Sequence, residues 1–238
     1  KARLCYYAKR SSEIFQIWKT VFGTSSSTRL EFVYSSQSVQ SAVSKIILEC
    51  SHKLKVPVNA THLAIAPYFG SYNSATETNL THLAITLPQQ IQSLQTSISQ
   101  HYALVQKYNL TFITYECGQG LAGNGKPTDL SIQANRDHRM TSIYLQYFNL
   151  LHNNHIKLIM HFTSAASYDY NQAWGLKEAT DQEPQLSSKY QGLVQYLDNH
   201  NTCPPSAQLN DNTNPSLCSF SGIWDSVHQR CECYYGSF

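Results

Sequence analysis

The sequence predicts an α/β fold in which helices cover a parallel sheet. Four short runs are rich in aliphatic and aromatic residues, and each is followed by a segment with helical spacing of its apolar side chains. The runs are almost continuously apolar, as strands buried on both faces of a parallel sheet require. Strands and helices therefore alternate along the chain, which is the order that builds a parallel β/α sheet.

The boundaries of these elements come from glycine, proline and apolar spacing. An initial helix is predicted to end at Gly23, and Pro88 is predicted to open a long helix because the first turn needs no backbone donor there. Residues 70–79, 118–127 and 163–181 are predicted to be loops. The predicted strands are 30–35, 63–68, 110–116 and 156–162, and the later helices are 38–54, 88–108, 129–153 (broken near Asp137) and 184–199.

Four β/α units do not close a sheet by themselves. An open four-stranded sheet exposes two unpaired edges, whereas a closed barrel takes about eight strands. Three arrangements fit the sequence: the sheet stays open, two halves come together, or half of a barrel lies upstream. The chain starts at Lys1 without a Met and directly in helix-like sequence, so we expect a removed targeting segment or further sequence upstream.

The cysteines predict two parts in the chain. Four of the seven cysteines crowd into the C-terminal tail, which is typical of a small oxidised module. We therefore predict a β/α domain over 1–200 and a cysteine-rich module over 201–238. No close second Cys or His pair accompanies the tail cysteines, so we predict no metal site, and we predict no cofactor. The tail cysteines are Cys203, Cys218, Cys231 and Cys233; one of Cys5, Cys50 and Cys117 should be unpaired because seven is odd.

Three Asn-x-Thr sequons, at Asn59, Asn79 and Asn109, point to a secreted or extracellular glycoprotein together with the cysteines. A net charge of +2 gives no argument for nucleic acid or an anionic membrane as a partner. No apolar run is long enough to predict a membrane span.

The ends of the predicted strands carry residues suited to sugars. Functional residues of a parallel β/α barrel lie at the C-terminal ends of its strands. Those ends bring Gln37, Tyr68, Glu116 and Phe162, with Trp174 in the last loop. Aromatic faces stack on pyranose rings, and carboxylates supply nucleophilic or acid/base chemistry. The set therefore predicts glycan as the partner.

A run of motifs resembles a known group of enzymes. Residues 115–119, Tyr-Glu-Cys-Gly-Gln, resemble the Tyr-Glu-Gly-Gly-Gln segment of barrel proteins related to the clan A glycoside hydrolases. The resemblance spans roughly residues 5 to 198, and it depends on the shared order of the motifs. The other matching segments are 64–70 (Ala-Ile-Ala-Pro-Tyr-Phe-Gly), 135–137 (Asn-Arg-Asp) and 174–178 (Trp-Gly-Leu-Lys-Glu).

The resemblance implies a fold and roles for single residues. The four units would correspond to strands five to eight of a (β/α)8 barrel. Glu116 would be the catalytic nucleophile after the seventh strand, Tyr68 its hydrogen-bond partner, and Trp174 the floor of a sugar subsite. Gln37 and Gln119 are further candidate substrate contacts.

The chain departs from that pattern at three points. Cys117 stands where the group has Gly after the Glu, and Gly120 stands where members carry His. The group's general acid/base is a Glu within an Asn-Glu motif at the fourth strand, and this sequence contains no Asn-Glu pair. We therefore expect the acid/base to come from upstream sequence or from a second chain, if it exists.

Alternation along the third strand gives an orientation for Glu116. Phe112 and Thr114 fall on the same side as Glu116, and we expect that side to face the barrel interior. Retaining hydrolysis needs a second carboxyl about 5 Å away. None of the other strand ends offers an acid, since they carry Gln37, Tyr68 and Phe162.

The tail resembles part of an epidermal-growth-factor-like module. Residues 231–236, Cys-Glu-Cys-Tyr-Tyr-Gly, are similar to the C-x-C, aromatic and Gly of that family. Such modules usually have six cysteines, so the module would be incomplete. An irregular disulfide-stapled tail is the alternative interpretation.

Three functions remain open from the sequence. The first is a retaining glycosidase acting on β-linked glycans, with Glu116 as nucleophile. The second is a non-catalytic glycan-binding or matrix protein built on a degenerate hydrolase barrel. The third is an α/β domain of unrelated function. Full-length sequence upstream of Lys1 would separate the first two, because an Asn-Glu motif at a fourth strand favours the enzyme.

We predict glycan on at least one of the three sequons, with Asn79 the best candidate because its segment is polar and follows a strand end. The expected result is a fall in intact mass after enzymatic deglycosylation of protein made in a secretory host. Unmodified Asn at all three sites would remove a main support for secretion.

Overall fold

The structure, a computed structural model, describes residues 1–56, 58–77, 79–124, 128–170 and 173–200, together with the backbone of 222–225 and 230–233. Its contacts divide the chain into two compact units, Lys1–Leu193 and Val194–Phe238. The helices are α1 (Ala2–Phe22), α2 (Ser26–Arg29), α3 (Ser41–Lys53), α4 (Leu80–Lys107), α5 (Asp129–Arg136), α6 (Met140–Asn153) and α7 (Ser188–His200). The strands are β1 (Val33–Ser35), β2 (His62–Ile65), β3 (Phe69–Tyr72), β4 (Thr111–Thr114), β5 (Gln119–Gly123), β6 (Gly222–Asp225) and β7 (Arg230–Cys233), and 3-10 turns cover Gly23–Ser25 and Pro184–Leu186.

A parallel sheet organises the first unit. Its order is β1-β2-β4, with Tyr34 beside Leu63 and Leu63 beside Phe112. The fourth predicted strand lies beside β4, because Leu158 bridges Ile113 and its carbonyl accepts from the Thr114 N–H at 2.9 Å. The predicted alternation of helices and parallel strands is confirmed.

A second parallel pair, β3 and β5, lies just beyond the ends of β2 and β4. The prediction of loops is therefore wrong for residues 70–72 and 119–123, which are strands, whereas residues 73–77 are turn and irregular chain as predicted. Glycine here permits close pairing: Gly70 has φ +104°, and a Cβ at that position would lie 3.3 Å from the backbone nitrogen of Leu121.

The helix predicted to open at Pro88 begins eight positions earlier, at Leu80. The cause is the side chain of Asn79, which accepts hydrogen bonds from the backbone N–H groups of Thr81 and His82 and so caps the helix. Pro88 lies inside α4. Asn59, Asn79 and Asn109 all have exposed side chains.

A layer of aromatic rings on α6 packs under the sheet. Tyr144 and Phe148 are buried and contact the ring of His161, with centroid distances of 5.6 Å and 6.2 Å. Residue 161 therefore faces the helices. Its neighbours on the other face are exposed: Leu158 at 53%, Met160 at 47% and Phe162 at 41%. One face of this edge segment is thus apolar and uncovered by the described residues.

The first helix is held to the sheet by aromatic contacts and to α3 by a disulfide. Phe15 packs on Phe32 and Tyr34, with ring centroids 4.9 Å and 5.7 Å apart. Cys5 of α1 is bonded to Cys50 of α3, and Cys117 is the free cysteine of the described side chains. The expectation of one unpaired cysteine among these three is confirmed.

The predicted tail module falls on residues 201–238, whose side chains lie outside the described residues. The backbone of β6 and β7 forms an antiparallel pair, in which Cys231 stands opposite Trp224 and Cys233 opposite Gly222. The proposed oxidised state of Cys203, Cys218, Cys231 and Cys233 stays a prediction. Within the part of the chain that the structure describes, no helix is long and apolar enough to cross a bilayer.

Loss of the Cys5–Cys50 bond should destabilise the fold. The bond joins positions 45 apart, and the loop-closure entropy it removes from the unfolded chain corresponds to about 4 kcal/mol. We expect Cys5→Ser combined with Cys50→Ser to lower the free energy of unfolding in urea by about 2–4 kcal/mol. An unchanged unfolding midpoint would show that the bond adds no stability.

Candidate functional site

The parallel register of β2 and β4 brings two predicted site residues together. Ile65 and Thr114 are paired at the ends of these strands, and Tyr68 and Glu116 follow them by a few residues. The Tyr68 hydroxyl donates a hydrogen bond to Oε2 of Glu116 at 3.2 Å. Both side chains are half-buried. The parallel register of the sheet thus brings together two residues that are 48 positions apart in the chain.

Tyr68 is fixed in its donor form. Burial raises the pKa of the Tyr68 hydroxyl, and the negative charge of Glu116 raises that pKa further. The phenol therefore keeps its proton through the neutral range. Tyr68 therefore remains a hydrogen-bond donor to Glu116 throughout that pH range.

A buried tyrosine on α6 holds the two segments that carry this pair. The Tyr147 hydroxyl donates to the carbonyl of Pro67 at 2.7 Å and accepts from the N–H of Gly118 at 3.1 Å. Pro67 precedes Tyr68, and Gly118 follows Glu116 by two residues. One hydroxyl thus fixes the distance between the two chain segments. Sequence reasoning missed Tyr147, because its place in the apolar stripe of a helix carries no sign that its hydroxyl reaches the strand ends.

Gly118 cannot readily be replaced by a residue with a side chain. Its φ is +135°, and a Cβ there would lie 2.8 Å from Nε2 of His161. Burial lowers the pKa of His161 to about 3, and the nearby charge of Lys189 contributes. His161 is therefore neutral at pH 7 and packs under the Glu116 segment as an uncharged ring.

Cys117, which departs from the glycoside hydrolase pattern, is inaccessible to solvent. Its side chain is fully buried and contacts the hydroxyls of Tyr147 and Thr114. Burial raises the pKa of the thiol to about 12. The thiol is protonated at neutral pH, so it is no competing nucleophile beside Glu116.

The expected orientation of the strand before Glu116 is wrong. Phe112 stacks on His101 of α4, with ring centroids 6.3 Å apart, so its side chain faces the helix layer. The strand ends at Thr114, and the chain bends at 115 and 116. The alternation of side chains between the two faces of the strand stops at that bend, so the direction of the Phe112 side chain does not predict that of Glu116.

Trp174 is linked to the same segment through Phe162. The Phe162 N–H donates to the carbonyl of Cys117 at 2.8 Å. The rings of Phe162 and Trp174 pack edge to face with centroids 5.7 Å apart. Phe162 is 41% exposed and Trp174, outside the strands, is half-buried, so an accessible aromatic pair is joined through Phe162 to the segment that carries Glu116. The sequence predicted that Phe162 ends a strand, but it indicated no role for this residue.

The two glutamines differ in position. Gln37 is exposed and follows β1, which β2 separates from β4. Gln119 is fully buried, and its amide donates to Oδ1 of Asn135 at 2.9 Å and to the carbonyl of Ala173. This burial does not fit the expected substrate contact of Gln119, whose amide groups are bonded within the protein.

Among the described side chains, no group of three or more His, Cys, Asp or Glu is arranged to hold a metal ion. The predicted site residues that the structure brings together here supply one carboxylate (Glu116), a phenol donor (Tyr68) and the ring of Trp174, to which Phe162 adds a second ring.

We predict that Tyr147→Phe loosens this edge. The change leaves the Pro67 carbonyl and the Gly118 N–H without their buried partner, so the free energy of unfolding should fall by about 1–3 kcal/mol. Tyr6→Phe, at a residue 65% exposed, is the matched control and should change stability by less than about 0.5 kcal/mol. Equal urea midpoints for both variants would contradict the role given to the Tyr147 hydroxyl.

Comparison with known proteins supports the fold. The structure is similar to that of the GH51 arabinofuranosidase from Xanthomonas axonopodis pv. citri, with a TM-score of 0.50 and 12% sequence identity. The match covers 71% of this chain and 34% of that one, so the chain spans about a third of its length. No protein-family model and no curated protein matches the sequence. At this identity the likeness shows the fold alone: the chain has a glycoside hydrolase-like α/β fold that corresponds to part of a barrel.

Proposed function

We propose that this chain carries the nucleophile half of a retaining glycosidase active site for β-linked glycans, with Glu116 as the nucleophile. The contact that supports this most directly is the hydrogen bond from Tyr68 to Glu116 at 3.2 Å, at the C-terminal ends of adjacent parallel strands. In parallel β/α barrels that edge is where catalytic groups lie. The glycoside hydrolase-like fold agrees with this assignment.

The proposed reaction has two steps. The Glu116 carboxylate attacks the anomeric carbon while the bond to the leaving oxygen breaks, and a general acid gives that oxygen a proton. Water then attacks the glycosyl ester, the same acid/base takes the water's proton, and Glu116 leaves as a carboxylate. Tyr68 holds the carboxylate oriented, and the exposed faces of Phe162 and Trp174 offer a surface for a sugar ring.

The general acid must come from outside the strand ends of this chain, since Gln37, Tyr68 and Phe162 are not acids. We propose that further β/α units, upstream in a longer polypeptide or in a second chain, complete the sheet and supply it. In the described residues, β1 and the 156–162 segment each have a strand neighbour on one side only. Leu158 and Met160 near one edge and Trp18 on α1 are exposed apolar side chains that such units would cover.

A glycan-binding protein without catalysis is the second candidate. The observation in its favour is the missing Asn-Glu motif. A barrel without an acid/base retains the aromatic pair and Tyr68, and these suffice to hold a sugar. A secreted, glycosylated protein is the setting we propose for either function, from the three sequons and the Cys5–Cys50 disulfide.

The test is Glu116→Gln in the protein with its barrel completed, assayed on a panel of 4-nitrophenyl β-glycosides. Hydrolysis should fall at least about a thousandfold, because the amide is no nucleophile, while binding changes little. Glu183→Gln, at an exposed carboxylate, is the matched control and should keep full activity.

A second variant separates a nucleophile from a supporting carboxylate. Glu116→Ala with added azide should release a glycosyl azide of inverted configuration, since azide enters the space of the lost carboxylate. Absence of that product together with unchanged turnover in Glu116→Gln would contradict the assignment. Binding without any turnover in the unmodified protein would favour the second candidate.

A further inference from the structure

Lys189 is a buried amine that the proposed chemistry does not use. It lies on α7 with 0% exposure, and among the described residues it is the one Lys or Arg in the buried set. A buried amine is stable only where acceptors receive its N–H groups. The location of those acceptors therefore indicates what Lys189 is for.

The amine belongs to a closed ring of four polar groups. Lys189 Nζ donates to Oδ1 of Asn135 at 2.6 Å and to the carbonyl of Ala173 at 3.2 Å. The amide nitrogen of Gln119 donates to the same two acceptors. Two donors thus share two acceptors, and all four residues are at most 3% exposed.

This ring joins the two segments of the candidate site. Gln119 begins β5, three residues after Glu116, and Ala173 immediately precedes Trp174. The carbonyl before the aromatic residue is therefore held by a side chain from the Glu116 segment and by one from α7.

The far side of Trp174 is held by a neighbour of the same amine. Lys189 Nζ lies 4.1 Å from the centre of the Tyr168 ring. The hydroxyl of Tyr168 donates to the carbonyl of Gly175 at 2.9 Å and to that of Leu176 at 3.2 Å. Trp174 thus stands between two anchored carbonyls, at Ala173 and at Gly175.

From this arrangement we infer that Lys189 is a positioning residue that sets the place of Trp174 relative to Glu116, and that it acts with Gln119 through the Ala173 carbonyl. The inference rests on the proposed function for its use of Trp174 as a sugar platform, but the placement itself can be measured without glycan. Burial lowers the pKa of Lys189. The neutral amine still has two N–H groups, one for each acceptor, so the contact survives in either protonation state.

The experiment uses the fluorescence of Trp174 as its reporter. One background retains only Trp174 (Trp18→Phe with Trp224→Phe), and a second retains only Trp18 (Trp174→Phe with Trp224→Phe). Lys189→Met is introduced into both, since methionine matches the length of the stem but donates no hydrogen bond. Lys157→Met, at an exposed lysine, is the matched control.

Loss of the Lys189 hydrogen bond leaves the Ala173 carbonyl with Gln119 as its remaining donor, so Trp174 should loosen while α1 stays unchanged. Lys189→Met should therefore shift Trp174 emission to longer wavelength and raise its acrylamide quenching constant, with no change at Trp18 and none from Lys157→Met. A general loss of structure would move both reporters, and that result would overturn the inference. Unchanged Trp174 emission in Lys189→Met would also overturn it.

Lys189→Gln covers the case in which the methionine variant does not fold, because a glutamine amide can still serve one of the acceptors. Its effect on Trp174 should be in the same direction and smaller. If neither variant folds, Lys189 serves folding and the positioning role is rejected. The fluorescence measurement needs no ligand, so it tests the position of Trp174 even if no β-glycoside is bound or cleaved. Failure of the proposed function would appear in the hydrolysis assay and not in this one.

Discussion

The parallel pairing of β2 with β4 is the constraint on which the candidate site depends. Two parallel strands in register must end at the same edge, so the residues that follow Ile65 and Thr114 meet whatever their distance along the chain. The chain then bends twice and pairs again as β3 with β5. Tyr68 and Glu116 lie in the short gap between these two pairings, where the backbone is fixed from both sides.

Buried neutral polar groups fix the position of the segments around that gap. The hydroxyl of Tyr147 joins Pro67 to Gly118, and the Gln119 amide joins β5 to Asn135 and Ala173. The partners of the Tyr147 hydroxyl are two backbone groups, and those of the Gln119 amide nitrogen are the Asn135 side chain and the Ala173 carbonyl, so each group joins separate parts of the chain. Such bonds have strict geometry, and leaving one unpaired in the interior is costly, so they fix position more narrowly than apolar contact does.

The sequence predicts the order of elements well because apolar period and length are local properties. It also predicts that Tyr68 and Glu116 end adjacent strands. It fails where a side chain acts at a distance or where the backbone departs from a regular period. The Asn79 cap starts α4 before Pro88, and the bend after Thr114 ends the alternation that begins at Phe112. The glycines of β3 and β5 are typical of loops, although both segments are strands. The burial of Gln119 depends on partners far away in the chain, which no local pattern reveals.

The buried thiol of Cys117 reports on local opening of the candidate site. Its thiol is sealed beneath the Glu116 segment, and its raised pKa leaves almost no thiolate at neutral pH. A reagent can reach this sulfur only when the segment between β4 and β5 opens locally. The reactivity of Cys117 is therefore set by the equilibrium between closed and open forms of that segment, and its rate of modification measures how often the segment under Glu116 comes apart.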